Sequence, residues 1–381
     1  MREEEIDMNI LKGILNKLFE LVLSIERKIL VMKLMRILRN FPSTDEERQL
    51  YFSKHATPIE YALRYEPLDK IVELLEGEKN ILDYSNEWGD DILAHAIDRQ
   101  DPEILKYILS LGFDVNKVYK YGRTPLHYAA GRHSTECVKM LLDANANIHA
   151  IDENGQTPLH YAASGEMNPP DPSSYEFPEI VHALINAGID INLQDNDGKT
   201  ALMLSVDTSY GEVFDILLAS KADIILQDNN GMDIMNYAIE EIRPRRNKIQ
   251  TLFDLGMPIN HHYLHRVGNS NIHSMEKLIE LGADVNALDE HGWTPLHVAS
   301  LVGESSLVQC LLDNEADVTK KILLPSIGEE NKYYSALDIV KLSEETKKVL
   351  VDLIRPDTRW YESEYENEQI VELLTEAMAL K

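Results

Sequence analysis

The sequence predicts an all-α solenoid of about nine helix-turn-helix units, and three observations predict it. Glycines 89, 122 and 155 stand 33 residues apart, and a fixed period in the thirties marks an array whose units bury their apolar faces only against neighbours. One phrase then recurs: Thr124-Pro125-Leu126-His127-Tyr128-Ala129-Ala130, Thr157-Pro158-Leu159-His160-Tyr161-Ala162-Ala163, and Thr294-Pro295-Leu296-His297-Val298-Ala299 behind Gly292. Behind the phrase, apolar residues return at helical spacing, as at Val138, Leu141 and Leu142.

The phrase has a local physical logic. Thr124 suits an N-cap, and Pro125 suits the first helical position, where its missing N–H is no loss. Small Ala129 and Ala130 let the two helices of a unit approach closely. The second helix closes on a residue fit for the left-handed conformation: Gly112, Asn145, Gly188, Gly256 and Gly282. Lys221 and Glu315 break that pattern, at a cost of roughly 1 kcal/mol if the conformation is kept. An apolar-Asn pair follows in many units, as in Val115-Asn116, Ile191-Asn192 and Val285-Asn286. At these residues the sequence resembles the ankyrin repeat family, whose signature includes Thr-Pro-Leu-His-x-Ala.

On this register the nine units run over residues 54–85, 86–118, 119–151, 152–194, 195–227, 228–260, 261–288, 289–321 and 333–356. Units three, four and eight carry the phrase best. The seventh is short, with His261-His262-Tyr263-Leu264-His265 in place of most of it, and the ninth is a degenerate terminal copy. Gly155 to Gly198 is 43 residues, ten beyond the period, and the excess is the Pro-rich stretch 166–178. It reads as a tolerated surface insertion, with Tyr175 and Phe177 keeping a binding role open. A second break, 322–332, separates units eight and nine.

The array is expected over residues 51–356, between a helical segment at 1–50 and an acidic capping helix at 357–381. Apolar positions 11, 14, 15, 18, 22, 25 and 29 follow helical spacing, and 11–40 holds seven basic residues against two acidic. This segment reads as a cap over the open end of the solenoid, as a partner-binding helix, or as an amphipathic helix lying on anionic lipid. At the other end, Ile370, Val371, Leu373, Leu374 and Met378 supply an apolar stripe.

A net charge of −28 argues against sequence-independent binding to nucleic acid, which needs Lys and Arg to neutralise phosphates. No apolar run is long enough to span a membrane, and the acidic N-terminus is unlike a secretory signal. Cys137 and Cys310, five units apart, cannot reach each other, so the chain is expected to be cytoplasmic, with delivery into a host cell as one route there. Phosphate loops, His-Glu-x-x-His, Cys-x-x-Cys and Gly-x-Ser-x-Gly are all absent. No cofactor, metal or catalytic residue is assigned. His261 and His265, four apart, have the spacing of zinc ligands on one helical face, yet structural or surface roles fit them better. The resemblance implies that His127, His160 and His297 tie neighbouring turns together.

The resemblance also implies a protein partner, bound along a concave groove by the turn tips and the exposed sides of the first helices. Carried over, these positions are Trp88, Asp90, Arg99, Lys120, Tyr121, Arg123, Arg132, Gln156, Lys199, His291 and Trp293. Trp, Tyr and Arg most often dominate binding energy, which favours Trp88, Tyr121, Arg123, Arg132 and Trp293. The expected function is non-enzymatic protein binding, as adaptor, scaffold or inhibitor. A membrane-associated scaffold and an enzyme with its site in the irregular repeats are the rival readings.

Overall fold

The phrase opens a helix wherever it occurs. A computed structural model of the chain describes residues 57–77, 81–86, 89–132, 134–164, 177–206, 211–240, 248–260, 262–267, 271–323, 333–342 and 364–379. The N-terminal segment 1–50, Trp88, residues 165–176 of the insertion and His261 lie outside them. The chain divides into two compact units, Met1–Ser85 and Asn86–Lys381. The first helix pair, read from the sequence as unit one of the array, lies within the first of these.

In the N-terminal unit, α1 (Pro58–Tyr65) and α2 (Leu68–Gly77) pack as a pair. Thr57 and Glu60 form a reciprocal capping box at the start of α1.

The larger unit repeats this plan. Its first helices are α3 (Ile92–Arg99), α5 (Pro125–Gly131), α7 (Pro158–Ser164), α9 (Ala201–Leu204), α11 (Ile234–Glu240), α13 (Tyr263–Arg266), α15 (Pro295–Val302) and α17 (Ala336–Val340). Each touches the next, forming one continuous row. Its second helices are α4 (Pro102–Ser110), α6 (Thr135–Asp143), α8 (Phe177–Asn186), α10 (Glu212–Ala219), α12 (Lys248–Asp254), α14 (Ile272–Glu280) and α16 (Ser305–Asp313). The core lies between the rows; Leu126, Ala129, Ala130, Val138 and Leu141 are fully buried. Cys137 and Cys310 are buried free thiols on α6 and α16.

The closing position keeps its left-handed backbone throughout units two to eight. Lys221 (φ 64°) and Glu315 (φ 67°) adopt it as Gly112 (φ 85°) does. The Asn of the apolar-Asn pair acts as a staple to the next unit. Asn116 Oδ1 accepts the Asn147 N–H at 2.6 Å, Asn192 that of Asp223 at 2.9 Å, and Asn286 that of Asp317 at 2.7 Å.

Two features close the far end. The break between units eight and nine is flanked by an antiparallel pair, β1 (Lys321–Leu323) and β2 (Tyr333–Ser335), with Ile322 opposite Tyr334. The final helix, α18 (Glu364–Ala379), packs on α16 and α17 and buries Ile370 and Leu374.

Candidate partner-binding surface

Units two to six and unit eight each project a tight tip ahead of the first helix, and in four of them an aspartate builds it. Asp152 Oδ1 accepts the N–H groups of Asn154 and Gln156, both at 2.9 Å. Asp195, Asp228 and Asp289 hold the corresponding pairs at 2.8–3.0 Å. A carboxylate that collects two amides fixes the turn, and the two residues that follow each of these aspartates are exposed.

Unit three departs from this plan. Tyr119 occupies the aspartate's place, turns inward and donates its hydroxyl to Asp91 Oδ1 at 2.7 Å. Burial, reinforced by the Asp91 carboxylate, drives the Tyr119 pKa upward, so this phenol stays a donor. Without a carboxylate anchor, residues Lys120–Gly122 tighten into a single 3₁₀ turn, and Tyr121 takes a left-handed backbone at φ 64°. A non-glycine residue held there is strained by about 1 kcal/mol.

The outcome is an aromatic side chain 53% exposed at the tip, with cations on both flanks. Lys120 Nζ lies 5.1 Å from the Tyr121 ring centroid and Arg123 Cζ 5.6 Å. The Arg123 guanidinium also stands 5.3 Å from the Tyr161 ring, so it sits between two tyrosines, within cation–π range of each. Tyr161 and Tyr128 are fixed by hydroxyl bonds to Asp152 (2.8 Å) and Asp90 (3.0 Å).

The remaining expected positions are scattered along the tips and first helices. Arg132 pairs with Asp98 at 2.9 Å, Arg99 with Asp101 at 3.9 Å, and Lys199 with Asp197 at 3.9 Å. Gln156 is half-buried, its carbonyl accepting from His127 and its amide reaching Asp195. His291 is exposed beside Glu290.

Trp293 corrects the sequence expectation. It was expected on the groove, but it is 0% exposed and packs with Val298, Leu301, Ile322 and Ile339. The strand pair β1–β2 supplies Ile322 and the half-buried Tyr334 over the indole. Met232, the matching residue of unit six, is also buried, with its sulfur 3.2 Å from Arg266 Nη2. The position after the tip glycine is half-buried at Asp90, Arg123, Gln156 and Lys199 and buried at Met232 and Trp293. Tyr161 is the residue sequence reasoning missed; it was quoted only as part of the repeated phrase, in the unit that follows the one carrying Arg123.

His127, His160 and His265 are structural ties to the next unit, whereas His297 departs from the expectation: its Nδ1 bonds Thr294 of its own turn, and its buried Nε2 has no hydrogen-bond partner among the described residues. In unit three the Thr124 N–H donates to His127 Nδ1 at 3.1 Å, so Nε2 carries the proton and donates to the Gln156 carbonyl at 3.0 Å. His160 repeats this toward Lys199 (3.1 Å) and His265 toward Trp293 (2.9 Å). Burial is the main cause that lowers the pKa of His127 to about 4, opposed by the bond to Gln156. His265 is thus the phrase histidine of a unit that has lost the rest of the phrase. Among the described residues, no group of three or more His, Cys, Asp or Glu could hold a metal ion. Nor is any described helix long and apolar enough to cross a membrane.

Stacked helix pairs tied by tip and histidine bonds define a helical repeat protein of the kind that presents a surface to other proteins. The ankyrin repeats family matches residues 93–168, 173–263 and 260–322, and the chain belongs to that family. Protein phosphatase 1 regulatory subunit 27 of mouse is 33% identical over 76 residues, which is 20% of this chain and 47% of that protein; its human counterpart matches equally. The human transient receptor potential cation channel subfamily A member 1 is 26% identical over 190 residues, 38% of this chain and 17% of the channel. The chain spans less than half the length of these curated relatives. As an ankyrin array it is a protein–protein interaction module.

Proposed function

We propose that the chain is a non-enzymatic, cytosolic adaptor or scaffold that binds a protein partner through the tips and first helices of units two to four. The observation that carries this reading is Tyr121, an exposed aromatic held in a left-handed backbone between Lys120 and Arg123. The repeat framework asks for none of these three side chains. Strained, exposed aromatics flanked by arginine have the composition of residues that dominate interfaces. Asp90, Arg99, Arg132, Gln156 and Lys199 extend the surface on either side, with Trp88 joining on sequence grounds and His291 lying farther along. The likeness to a phosphatase regulatory subunit suits a regulatory adaptor, and two buried free thiols suit a reducing compartment.

The test is the double variant Tyr121→Ala, Arg123→Ala. A partner captured by the wild-type chain should bind it more weakly by about 2 kcal/mol or more, at a nearly unchanged melting temperature. Unaltered affinity in calorimetric titration removes unit three from the site.

A further inference from the structure

The tips of units three to six form a hydrogen-bonded ladder. The Glu153 N–H donates to the Tyr121 carbonyl at 2.9 Å, that of Asn196 to Asn154 at 2.8 Å, and that of Asn229 to Asp197 at 2.9 Å. Each rung joins the residue before one tip's glycine to the residue two before the next tip's glycine. The tips pack closely as a result: a Cβ on Gly198 would lie 2.6 Å from the Asn229 nitrogen.

Unit seven has no tip. Thr200, the N-cap of α9, follows the stapling Asn192 by eight positions, whereas His262, the N-cap of α13, follows Asn260 by two. A Cβ on Gly231, the last glycine of the ladder, would accordingly meet nothing within 4 Å. By the same register, the Asn230 carbonyl and the Glu290 N–H are the two groups a seventh tip would engage. Neither makes a hydrogen bond to any described residue.

Between Gly231, the neighbour of Asn230, and Glu290 lies a cleft of about 310 Å³, at the lower end of the range typical of ligand sites. It is lined by Asp233, Asp289, Glu290 and Arg266 among others. Arg266 is already within 3.8 Å of Glu240, so the cleft is acidic on balance, as is the whole chain.

We propose that this cleft is a second binding site, which takes an extended basic segment of a protein partner as the missing rung. Two consecutive residues suffice, since in an extended chain the N–H of one and the C=O of the next point to opposite sides. The first donates to the Asn230 carbonyl and the second accepts the Glu290 N–H, as in other strand additions. A flanking Lys or Arg reaches Asp289 and Glu290. This site is separate from the Tyr121 surface and stands or falls independently of it.

The probe is a blocked, fluorescent octapeptide alternating Lys and Val, compared with its backbone N-methylated form and with a Glu–Val version. Glu290→Pro deletes the donor without disturbing the turn, because Glu290 is the second residue of the Asp289–Gly292 turn, closed by a 3.0 Å bond, where proline is favoured. Glu290→Gln controls for lost charge. The Lys–Val peptide should bind saturably, and both N-methylation and Glu290→Pro should weaken it by about tenfold or more. Glu290→Gln should matter much less, the Glu–Val peptide should not bind, and the Tyr121→Ala, Arg123→Ala protein should bind normally. No saturable binding below about 1 mM, or equal binding by the N-methylated peptide or the Glu290→Pro protein, overturns the proposal.

Discussion

His127 makes a measurable claim about acid stability. Its pKa falls from 6.5 to about 4 in the folded chain, mainly through burial. Between those values the unfolded chain binds a proton that the folded chain refuses. The contribution is therefore complete above pH 6.5 and is lost progressively as pH falls toward 4. Moving from pH 6.5 to 5 crosses about 1.5 units at about 1.36 kcal/mol each, so the loss is about 2 kcal/mol. His127→Gln removes this term while leaving His160 and His297, which are lowered by the same cause, in both proteins. Urea denaturation followed by circular dichroism at pH 7.5 and pH 5 should show wild type more stable at the higher pH, with its margin over the variant about 2 kcal/mol narrower at pH 5. A margin that is constant, or that widens in acid, would refute the reasoning, because His127 would then titrate alike in both states.

Two further predictions concern packing and backbone. Lys221→Gly and Glu315→Gly should each stabilise the chain by about 1 kcal/mol in the same assay, because φ near +65° penalises any Cβ; Lys221→Ala should change little. Trp293→Ala should destabilise by about 3–5 kcal/mol, yet leave partner affinity unchanged in whatever fraction remains folded. Trp293→Phe should lose far less, since the indole Nε1 has no hydrogen-bond partner among the described residues.

The array was legible because its information is local. Capping threonines, a proline at the first helical turn, paired alanines and a left-handed closing residue are each set by backbone sterics within a few positions. A 33-residue beat then repeats them. Even Lys221 and Glu315, which break the composition rule, keep the geometry, because the rest of each unit holds them there. Tyr121 and Arg123 were legible as positions but not as a cluster: what joins them to Tyr161 is the stacking of one unit on the next. The six-residue deficit in unit seven was visible as shortness, whereas the cleft it leaves required the tips on either side to be placed.

From sequence alone came the family resemblance, the helix pairs and the row of tips, which depend on short-range chemistry repeated at a fixed interval; the histidine ties were implied by the resemblance and hold at His127 and His160 but not at His297. Tertiary structure decided which side chains on that row face outward. Trp293 was expected on the surface and is buried because Ile322 and Tyr334, on the strands that flank the break between units eight and nine, pack with it. Exposure is a property of what packs across a residue, and here the covering strands form only where the repeat is interrupted.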